Sequence, residues 1–492
     1  MGGALGPCPV KAPAGLAEGL RDSRTLVPVR TVDVIVVGLG PGGEDAAGKL
    51  AEAGLEVVGI DAELVGGECP YWGCVPSKMM IRAANLLTEA RRIDGMAGHA
   101  EVTPDFAPVA RRIRDEATDN WDDQVAVDRL ASKGVAFVRG WAHLKGHHQV
   151  AVGDEVFAAR RAIVLNPGTR AWAPPIEGLA DTAYWTNREA IETETVPESL
   201  IVIGGGAIGL ELGQVFLRFG AAVTTIETAP RLLALEEPES SELITAALGA
   251  AGMTVHVGAK ISGVRHDERG FTVSVEGTGD VVAERLLVAT GRRPDLAGLR
   301  VGAIGLDEGA RAITVDDKMR VCDGVWAIGD VTGVGAFTHI SMYQAAIAVA
   351  DILGRPGPGA DYRGLPRVTF TDPEIGSVGL SEAAARAAGI EVAVGVSDVT
   401  RSARGWIHKA GNAGLIKLVA DTERGVLVGA TSAGPVGGEV LSMLTLAVHA
   451  EVPIATLATM IYAYPTFHRS VEDALRALAE QMPAGAGPGA QG

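Results

Sequence analysis

Apolar residues recur along the chain in short β-branched runs, each followed by glycines and then by a stretch of helical composition. The first run, residues 31–37, is long enough for a parallel strand that is buried on both faces. The turn after it has the spacing G-x-G-x-x-G and contains Gly38, Gly40 and Gly43. A helix is predicted over residues 44–53, and a second predicted strand, residues 55–60, ends at Asp61. This order of strand, glycine turn, helix, strand and acid predicts a dinucleotide-binding fold.

Each residue of this turn has a physical role in that fold. Gly38 permits the tight turn, and Gly40 lets the backbone approach a pyrophosphate that sits on the helix N-terminus. Gly43 allows the helix to pack closely on the strand, and the carboxylate of Asp61 can accept hydrogen bonds from ribose hydroxyls. The first glycine turn is therefore predicted to bind a dinucleotide.

The same pattern returns in the middle of the chain. The run at residues 199–203 leads into a second glycine turn with the same spacing, which contains Gly204, Gly206 and Gly209. The next predicted strand, residues 222–226, ends at Glu227. Two such turns predict two dinucleotides, most economically FAD and a nicotinamide cofactor, NAD(P)H. Glu227 would repel a 2′-phosphate and so favours NADH over NADPH, although Arg231 lies close enough in sequence to weaken that preference.

Length and charge restrict the class of protein. A chain of 492 residues is too long for one core, so several domains are expected. The formal net charge of −17 argues against nucleic acid or an anionic membrane as the main partner. The sequence has no apolar run of membrane-spanning length. Residues 1–30 lack the apolar stretch of a secretory signal and are predicted, like residues 481–492, to be flexible. A cytoplasmic location is expected.

The cysteines indicate redox chemistry. The chain has four of them, Cys8, Cys69, Cys74 and Cys322. A disulfide needs Cα atoms about 4.4–6.8 Å apart, whereas five residues of regular helix rise about 7.5 Å. A bond between Cys69 and Cys74 therefore needs a distorted segment, which Pro70 and Gly73 between them favour. A thiol near a helix start also gains thiolate character from the helix dipole.

Two other interpretations of the cysteine pair are a buried, unreactive pair and half of a metal site. Zinc needs about four ligands, and the sequence offers no second cluster of cysteine or histidine residues to supply them. The spacing therefore favours a redox-active pair without a metal.

The segment around Cys69 and Cys74 resembles the redox motif of the class I pyridine nucleotide–disulfide oxidoreductases. This family includes dihydrolipoamide dehydrogenase, glutathione reductase and mercuric reductase. The resemblance covers about residues 31–480. It rests on further similar segments at residues 289–295, 327–333, 338–339, 344–346, 366–368, 370–374 and 377–379.

The resemblance implies roles for individual residues. Electrons from NADH would pass through the flavin to the disulfide, with Cys74 as the charge-transfer thiol and Cys69 as the interchange thiol that attacks the substrate. Lys78 would lie near the flavin ring and pair with Glu211. Asp330 would bind the ribityl chain of the flavin. Two residues of the similar segments, Gly291 and His339, are also expected to contact cofactors, and so is Gly168.

Two segments depart from the family pattern. Residues 166–168 read Asn-Pro-Gly where the family usually has Ala-Thr-Gly, and we expect the flavin contact there to persist with altered detail. Tyr464 stands where the family has its catalytic histidine. A phenol with a pKa of about 10 is a poor base near neutral pH. Either Tyr464 contacts the substrate, as in mercuric reductases, or His468 takes over, oriented by Glu472 one helical turn later.

Together these features predict an α/β protein with two Rossmann-like domains, for FAD and for NAD(P), and a C-terminal α+β dimerisation domain. Apart from the two flexible ends, the predicted parts are a FAD-binding domain (31–170), a NAD(P)-binding domain (171–293), a central FAD-contacting segment (294–362) and a dimerisation domain (363–480). If Tyr464 or His468 serves the site of a second subunit, the working unit is a homodimer.

The predicted function is transfer of electrons from NAD(P)H through FAD and the cysteine pair to a disulfide or dithiol substrate, as in dihydrolipoamide dehydrogenase. Two alternatives stay open. One is a mercuric-reductase-like or quinone-type enzyme with a non-disulfide acceptor, although mercuric reductase proper is disfavoured because the sequence lacks its C-terminal adjacent cysteines and its N-terminal Cys-x-x-Cys domain. The other is a redox-sensing flavoprotein of low turnover.

Overall fold

The computed structural model of the protein describes residues 29–482. Cys8, nearly all of the predicted N-terminal extension and most of the predicted C-terminal tail lie outside the described residues. Among the described residues, no helix combines the length and the apolar character needed to cross a bilayer.

Within residues 29–482 the helices, in chain order, are α1 (Pro41–Glu52), α2 (Glu68–Tyr71), α3 (Cys74–Arg91), α4 (Ala107–Arg112), α5 (Gln124–Ser132), α6 (Asn187–Glu192), α7 (Ala207–Arg218), α8 (Pro238–Ala250), α9 (Thr338–Ile352), α10 (Glu382–Ala387), α11 (Ala403–His408), α12 (Gly437–His449), α13 (Ile454–Thr459) and α14 (Ser470–Ala479).

The strands of the same described residues are β1 (Val29–Val37), β2 (Val57–Asp61), β3 (Val135–Arg139), β4 (Ala142–Gly146), β5 (Gln149–Val152), β6 (Glu155–Leu165), β7 (Arg170–Ala171), β8 (Ser199–Ile203), β9 (Ala222–Ile226), β10 (Thr254–His256), β11 (Ile261–Asp267), β12 (Gly270–Val275), β13 (Gly279–Ala283), β14 (Arg285–Val288), β15 (Arg292–Arg293), β16 (Arg320–Cys322), β17 (Val325–Ala327), β18 (Pro366–Thr369), β19 (Glu374–Gly379), β20 (Val392–Asp398), β21 (Leu415–Asp421) and β22 (Val426–Gly434).

The described chain divides into two compact units, and the first comprises residues 29–75, 114–171 and 292–360. Its main sheet has the strand order β16-β17-β6-β1-β2-β3, and β4 and β5 continue from β6. β1 pairs in parallel with both β2 and β6, so the first glycine turn leaves the sheet at the carboxyl end of a central strand. In open parallel sheets this end is where ligands bind.

Alternation of side chains buries β1 on both faces. Val34 belongs to the same core as Leu50 of α1 and Ala345 of α9. Ile35, the next residue, belongs to a second core that includes Leu144 of β4. Helix α9 and strands β16 and β17 come from the predicted central segment, which in this structure forms part of the first unit.

The second unit comprises residues 76–113, 172–291 and 361–482. Strands β8, β9, β10 and β14 form a parallel sheet in the order β10-β9-β8-β14, and the second glycine turn follows β8. The C-terminal part of the unit contains an antiparallel sheet with the order β18-β19-β22-β21-β20. Its core includes Leu418 of β21, Leu444 of α12 and Leu475 of α14.

The predicted α/β class, with two dinucleotide-binding folds and a C-terminal α+β region, is confirmed. The four strands predicted beside the glycine turns are β1, β2, β8 and β9. The boundaries of the individual domains stay predictions.

Candidate active site

The first glycine turn leaves no space for side chains at two of its three positions. Gly38 has a φ of +87°, and a Cβ there would lie 2.1 Å from the carbonyl oxygen of Asn166. A Cβ on Gly43 would lie 2.0 Å from the carbonyl oxygen of Gly38. Gly40 differs, because the nearest atom to its Cβ position is Nδ2 of Asn166 at 3.4 Å. The turn therefore offers the exposed backbone that a bound pyrophosphate requires.

The acid at the end of β2 is held by the backbone of this turn. One carboxylate oxygen of Asp61 accepts a hydrogen bond from the N–H of Leu39 at 2.6 Å, and the other accepts from the N–H of Glu63 at 2.8 Å. Burial raises the pKa of Asp61, while these two hydrogen bonds act in the opposite direction. The carboxylate is thus fixed in orientation beside the glycine turn, as a ribose-binding group requires.

Asn166, which departs from the family pattern, ties the first turn to helix α9. Its side-chain N–H group donates to the carbonyl oxygen of Gly38 at 3.3 Å, and its side-chain oxygen accepts from the hydroxyl of Ser341 at 3.2 Å. Asn166 is buried. The side chain of Asn166 therefore links the first glycine turn to α9.

The second glycine turn, in the second unit, repeats the same restrictions. Gly204 has a φ of +115°, and its Cβ would lie 2.4 Å from the carbonyl oxygen of Ala289. A Cβ on Gly209 would lie 2.3 Å from the carbonyl oxygen of Gly204. At Gly206 no atom lies within 4 Å of the Cβ position. This turn is therefore also shaped for a pyrophosphate on the N-terminus of α7.

The carboxylate of Glu227, the residue after β9, is held by backbone N–H groups, as that of Asp61 is. Its carboxylate accepts hydrogen bonds from the N–H groups of Gly205 at 2.5 Å and Ala229 at 2.6 Å. Arg231, four residues later, donates to the hydroxyl of Ser241 at 2.6 Å. Its guanidinium also donates to two backbone carbonyls, those of Leu233 and Ala234.

The two redox candidates lie at a break between two helices. Cys69 belongs to the short helix α2, and Cys74 is the first residue of α3. Between them, a Cβ on Gly73 would lie 3.0 Å from the carbonyl oxygen of Glu68, so this position favours glycine. The distortion predicted from the sequence is therefore present.

The sulfur atoms of Cys69 and Cys74 interact directly and are thiols in this structure. The hydrogen bond with Cys74 and, after it, burial raise the pKa of the Cys69 thiol. The physical reason is that a thiolate on one cysteine is stabilised by the proton that the other retains. Such a pair releases one proton much more readily than two.

Thr338, whose contact with the cysteines the sequence did not indicate, lies beside the pair. Its hydroxyl is 3.4 Å from the sulfur of Cys74 and also forms a hydrogen bond that lowers the pKa of Cys69. Thr338 is the first residue of α9, so its place follows from the packing of that helix in the first unit. Only the resemblance of residues 338–339 to a segment of the oxidoreductase family pointed to this region.

Asp330, the predicted ribityl-binding acid, belongs to a polar network within the first unit. The hydroxyl of Thr169 donates to its carboxylate at 2.7 Å, and Nε of Arg292 donates to the same hydroxyl at 3.0 Å. Arg292 lies 3.6 Å from Glu68, the residue before Cys69. Burial raises the pKa of Asp330, opposed by the Thr169 hydrogen bond and by Arg292. Sequence reasoning missed Thr169 and Arg292 as parts of the site.

The structure describes the surroundings of three further predicted cofactor residues. Gly168 has a φ of +68° and Gly291 a φ of +122°, and at both the Cβ position has no atom within 4 Å. The ring of His339 stacks on that of Phe337 with centroids 5.2 Å apart. The roles of these residues stay predictions.

Lys78 and Glu211 are in contact within the second unit. The ammonium of Lys78 lies 2.9 Å from Oε2 of Glu211 and 4.5 Å from the centre of the Phe370 ring. The other carboxylate oxygen of Glu211 accepts the backbone N–H of Phe370 at 2.8 Å. Glu211 is buried on α7, and the side chain of Lys78 is partly exposed. Lys78 lies one helical turn after Cys74 on α3.

Tyr464 lies on the surface of the second unit, with 70% of its area exposed. The guanidinium of Arg469 lies 5.4 Å from the centre of its ring. The phenol is therefore accessible to a ligand or to a second chain.

The expected pair of His468 and Glu472 is not formed. Nε2 of His468 lies 3.3 Å from the hydroxyl of Thr466. The carboxylate of Glu472 pairs instead with two arginines, Arg469 at 3.1 Å and Arg476 at 3.5 Å. The expectation assumed regular α-helix from His468 onward, but Phe467–Arg469 form a 3-10 turn and α14 begins only at Ser470, so the two side chains do not have the spacing of one α-helical turn. Glu472 does not contact His468 in this structure, and the roles of Tyr464, His468 and Glu472 stay predictions.

Among the described residues, no group of three or more histidine, cysteine, aspartate or glutamate side chains could hold a metal ion.

Comparisons with known proteins agree with these features. Residues 32–350 match the pyridine nucleotide-disulphide oxidoreductase family, and residues 365–475 match its dimerisation domain. A dihydrolipoyl dehydrogenase from Thermus scotoductus is 33% identical over 462 residues, covering 92% of this chain and 98% of that protein. A mercuric reductase from Bacillus cereus is 32% identical over 440 residues, covering 88% of this chain and 69% of that protein.

A solved structure has a similar fold. The Cu(II) complex of an HOCl-induced flavoprotein disulfide reductase from Escherichia coli has a TM-score of 0.80 and 25% identity, and covers 91% of this chain and 99% of that chain. With the family match extending from the first glycine turn through the cysteine pair to α9, the chain belongs to the pyridine nucleotide–disulphide oxidoreductases and is an FAD-dependent enzyme that uses a pyridine nucleotide.

Proposed function

We propose that the enzyme takes electrons from NADH and delivers them, through the Cys69–Cys74 pair, to a small-molecule disulfide. The observation that carries this proposal is the direct interaction of the two sulfurs at a distorted helix junction. FAD, when bound, would supply the two-electron relay between the nicotinamide and the cysteine disulfide. Two electrons and two protons convert that disulfide to two thiols, and exchange with the acceptor restores it while reducing the acceptor to two thiols.

The two cysteines take different parts in this proposal. Cys74 begins the long helix α3, whose dipole stabilises a thiolate at that position. Cys69 retains its proton more strongly, because its pKa is raised by the hydrogen bond with Cys74 and by burial. These properties support Cys74 as the thiolate beside the flavin and Cys69 as the thiol that exchanges with the acceptor.

The preference for NADH rests on the end of β9. The carboxylate of Glu227 is fixed beside the second glycine turn, where it would repel a 2′-phosphate. Arg231 could have reversed this preference, but its guanidinium is bonded to Ser241 and to backbone carbonyls. The arginine therefore does not supply an uncommitted positive charge for NADPH.

A homodimer is the proposed assembly. Residues 365–475 match the dimerisation domain of the family, and this stretch exposes large apolar side chains. Among them are Ile461, Tyr464, Leu446 and Trp406. A second copy of the chain would remove this apolar surface from water.

A second candidate function is reduction of a quinone or a metal ion. Tyr464 favours it, because a phenol cannot replace imidazole as a base near neutral pH and thiol exchange would lack its usual partner. The relatives also include mercuric reductases, and the structural neighbour from Escherichia coli was solved as a Cu(II) complex.

The two functions are separated by acceptor assays of Cys69→Ser. NADH oxidation is measured with lipoamide, glutathione disulfide, a quinone and Cu(II), and Cys322→Ser serves as the matched cysteine control. Disulfide reduction by the wild type, abolished in Cys69→Ser and retained in the control, is the expected result. Turnover of the quinone or Cu(II) alone would instead support the second function.

A further inference from the structure

Helix α7 contacts the loop after β18 at three positions along one side. Glu211 accepts the backbone N–H of Phe370 at 2.8 Å. The side-chain amide of Gln214 accepts the N–H of Asp372 at 2.8 Å and donates to its carbonyl oxygen at 2.9 Å. The guanidinium of Arg218 lies 2.5 Å from the carboxylate of Asp372. The spacing of i, i+3 and i+7 places these three side chains in one stripe along the helix.

The stripe is shielded from water. Glu211, Gln214 and Arg218 are all buried. Burial lowers the pKa of Arg218, and the nearby carboxylate of Asp372 opposes this effect. The guanidinium of Arg92 forms a second ion pair with the same carboxylate, at 2.9 Å. Hydrogen bonds in such a place are costly to lose, because their partners cannot be satisfied by solvent. The loop is therefore held in one position against α7.

That position determines the surroundings of Lys78. The ammonium contacts the carboxylate of Glu211 and the ring of Phe370, and it also donates to the hydroxyl of Ser77, its neighbour in sequence, at 3.3 Å. Phe370 belongs to the loop, and its backbone N–H also holds the carboxylate of Glu211, so the position of the loop affects both of these contacts. A lysine side chain has several rotatable bonds, and only such fixed partners confine its charge to one place.

We propose that Gln214 is a positioning residue for Lys78 and, through it, for two-electron reduction of FAD by NADH. Gln214 is the member of the stripe that bonds only to main-chain atoms of the loop, through both its donor and its acceptor. It is neutral, so its replacement leaves the charges around Lys78 unchanged. The inference rests on the proposed function and on the place near the flavin ring that the family resemblance implies for Lys78.

The test is a double-mutant cycle on the FAD-loaded enzyme. The rate of flavin reduction by NADH is measured by anaerobic stopped flow in the wild type, Gln214→Leu, Lys78→Met and the double variant. Gln214→Leu should slow the reaction about tenfold, the effect of one ordinary buried hydrogen bond. Lys78→Met should slow it at least as much, and the double variant should be no slower than Lys78→Met.

The matched control removes a different interaction, an ion pair of β18, the strand that precedes the loop. Arg367→Met removes the ion pair with Glu236, whose Nε to Oε1 distance is 2.7 Å. This variant should lose similar thermal stability and reduce its flavin at the wild-type rate. If Gln214→Leu does not fold, Gln214→Asn keeps the amide on a shorter side chain and should show the same dependence on Lys78.

The results of these variants separate a failure of the role of Gln214 from a failure of the role of Lys78. If the Gln214 change slows the reaction by the same factor with and without Lys78, its role is structural and the inference is overturned. Wild-type rates in the folded Gln214 variants would overturn it as well. If Lys78→Met itself has the wild-type rate, the proposed role of Lys78 fails first and the inference fails with it.

Discussion

The glycine turns of the two units use the same local contacts. In each turn the first glycine, Gly38 or Gly204, has a positive φ and lies against a carbonyl oxygen from a neighbouring strand end. In each, the acid after the next strand, Asp61 or Glu227, accepts the N–H of the residue between the first two glycines. One short motif has therefore produced the same backbone cradle twice.

The surroundings of the two turns differ. In the first unit, Asn166 reaches the turn with a side chain that is bonded to Ser341 of α9. In the second unit, the carbonyl oxygen of Ala289 lies against the first glycine, Gly204. No atom lies within 4 Å of the Cβ position of Gly206. We expect the first turn to retain FAD during turnover and the second to exchange its nicotinamide, because Asn166 also links the first turn to α9, whereas the Cβ position of Gly206 is open.

The largest expected effect comes from adding a Cβ to the first glycine of each turn. Gly38→Ala should yield protein without FAD, and Gly204→Ala should yield protein that retains FAD and is not reduced by NADH. Both changes combine a backbone clash with a positive φ, which alone costs about 1–3 kcal/mol. Visible absorbance after gel filtration and anaerobic addition of NADH measure the two effects.

Gly54→Ala is the control, since Gly54 has a φ of +90° and no atom within 4 Å of its Cβ position. It should retain FAD and be reduced by NADH. Retention of FAD by Gly38→Ala would show that the first turn is not the flavin cradle.

Glu227→Gln should give the next largest effect. The amide keeps an acceptor for the backbone N–H groups but removes the charge, so kcat/KM with NADH should fall about tenfold to a hundredfold. The ratio of NADPH to NADH activity should rise at the same time. Asp61→Asn, its counterpart in the first unit, should weaken FAD retention and leave that ratio unchanged, and a shift in the ratio would break the division of roles between the turns.

A smaller effect concerns pH and the buried acid Asp330. Because burial raises the pKa of its folded form, the folded protein binds a proton more strongly than the unfolded chain does. Stability of the FAD-free protein should therefore fall as pH rises from the ordinary aspartate range through the raised pKa. Asp330→Asn should lose this decrease, measured as the difference in free energy of unfolding between the two proteins across that range. Parallel pH profiles would contradict the assignment.

The smallest expected effect is that of Arg231→Leu. Its guanidinium is bonded to Ser241 and two carbonyls, so NADPH activity should change by less than about threefold, as for a side chain outside the cofactor site. Steady-state rates with both cofactors measure it. A large loss of NADPH activity would show that Arg231 contacts the 2′-phosphate.

Local patterns in the sequence predicted the parts of the site that depend on few residues. The glycine spacing, the strand before it and the acid after it are contiguous, and steric limits on backbone φ leave one solution for the turn. Gly73 and the helix break at Cys69 and Cys74 follow from the same kind of constraint.

Contacts between distant parts of the chain could not be predicted in this way. The contact of Thr338 with Cys74 depends on how α9 packs on the sheet of the first unit. The expected pairing of His468 with Glu472 is not formed because Phe467–Arg469 are a 3-10 turn before α14, and residue spacing alone does not distinguish such a turn from α-helix.

In the proposed function, electrons pass from NADH through the flavin to Cys69 and Cys74. Anaerobic titration of the FAD-loaded enzyme with NADH, followed in the visible spectrum, tests it most directly. A long-wavelength thiolate–flavin charge-transfer band should appear after two electrons, and it should be absent in Cys74→Ser although FAD stays bound. Direct bleaching of the wild-type flavin without that band would show that the cysteine pair does not take part in electron transfer.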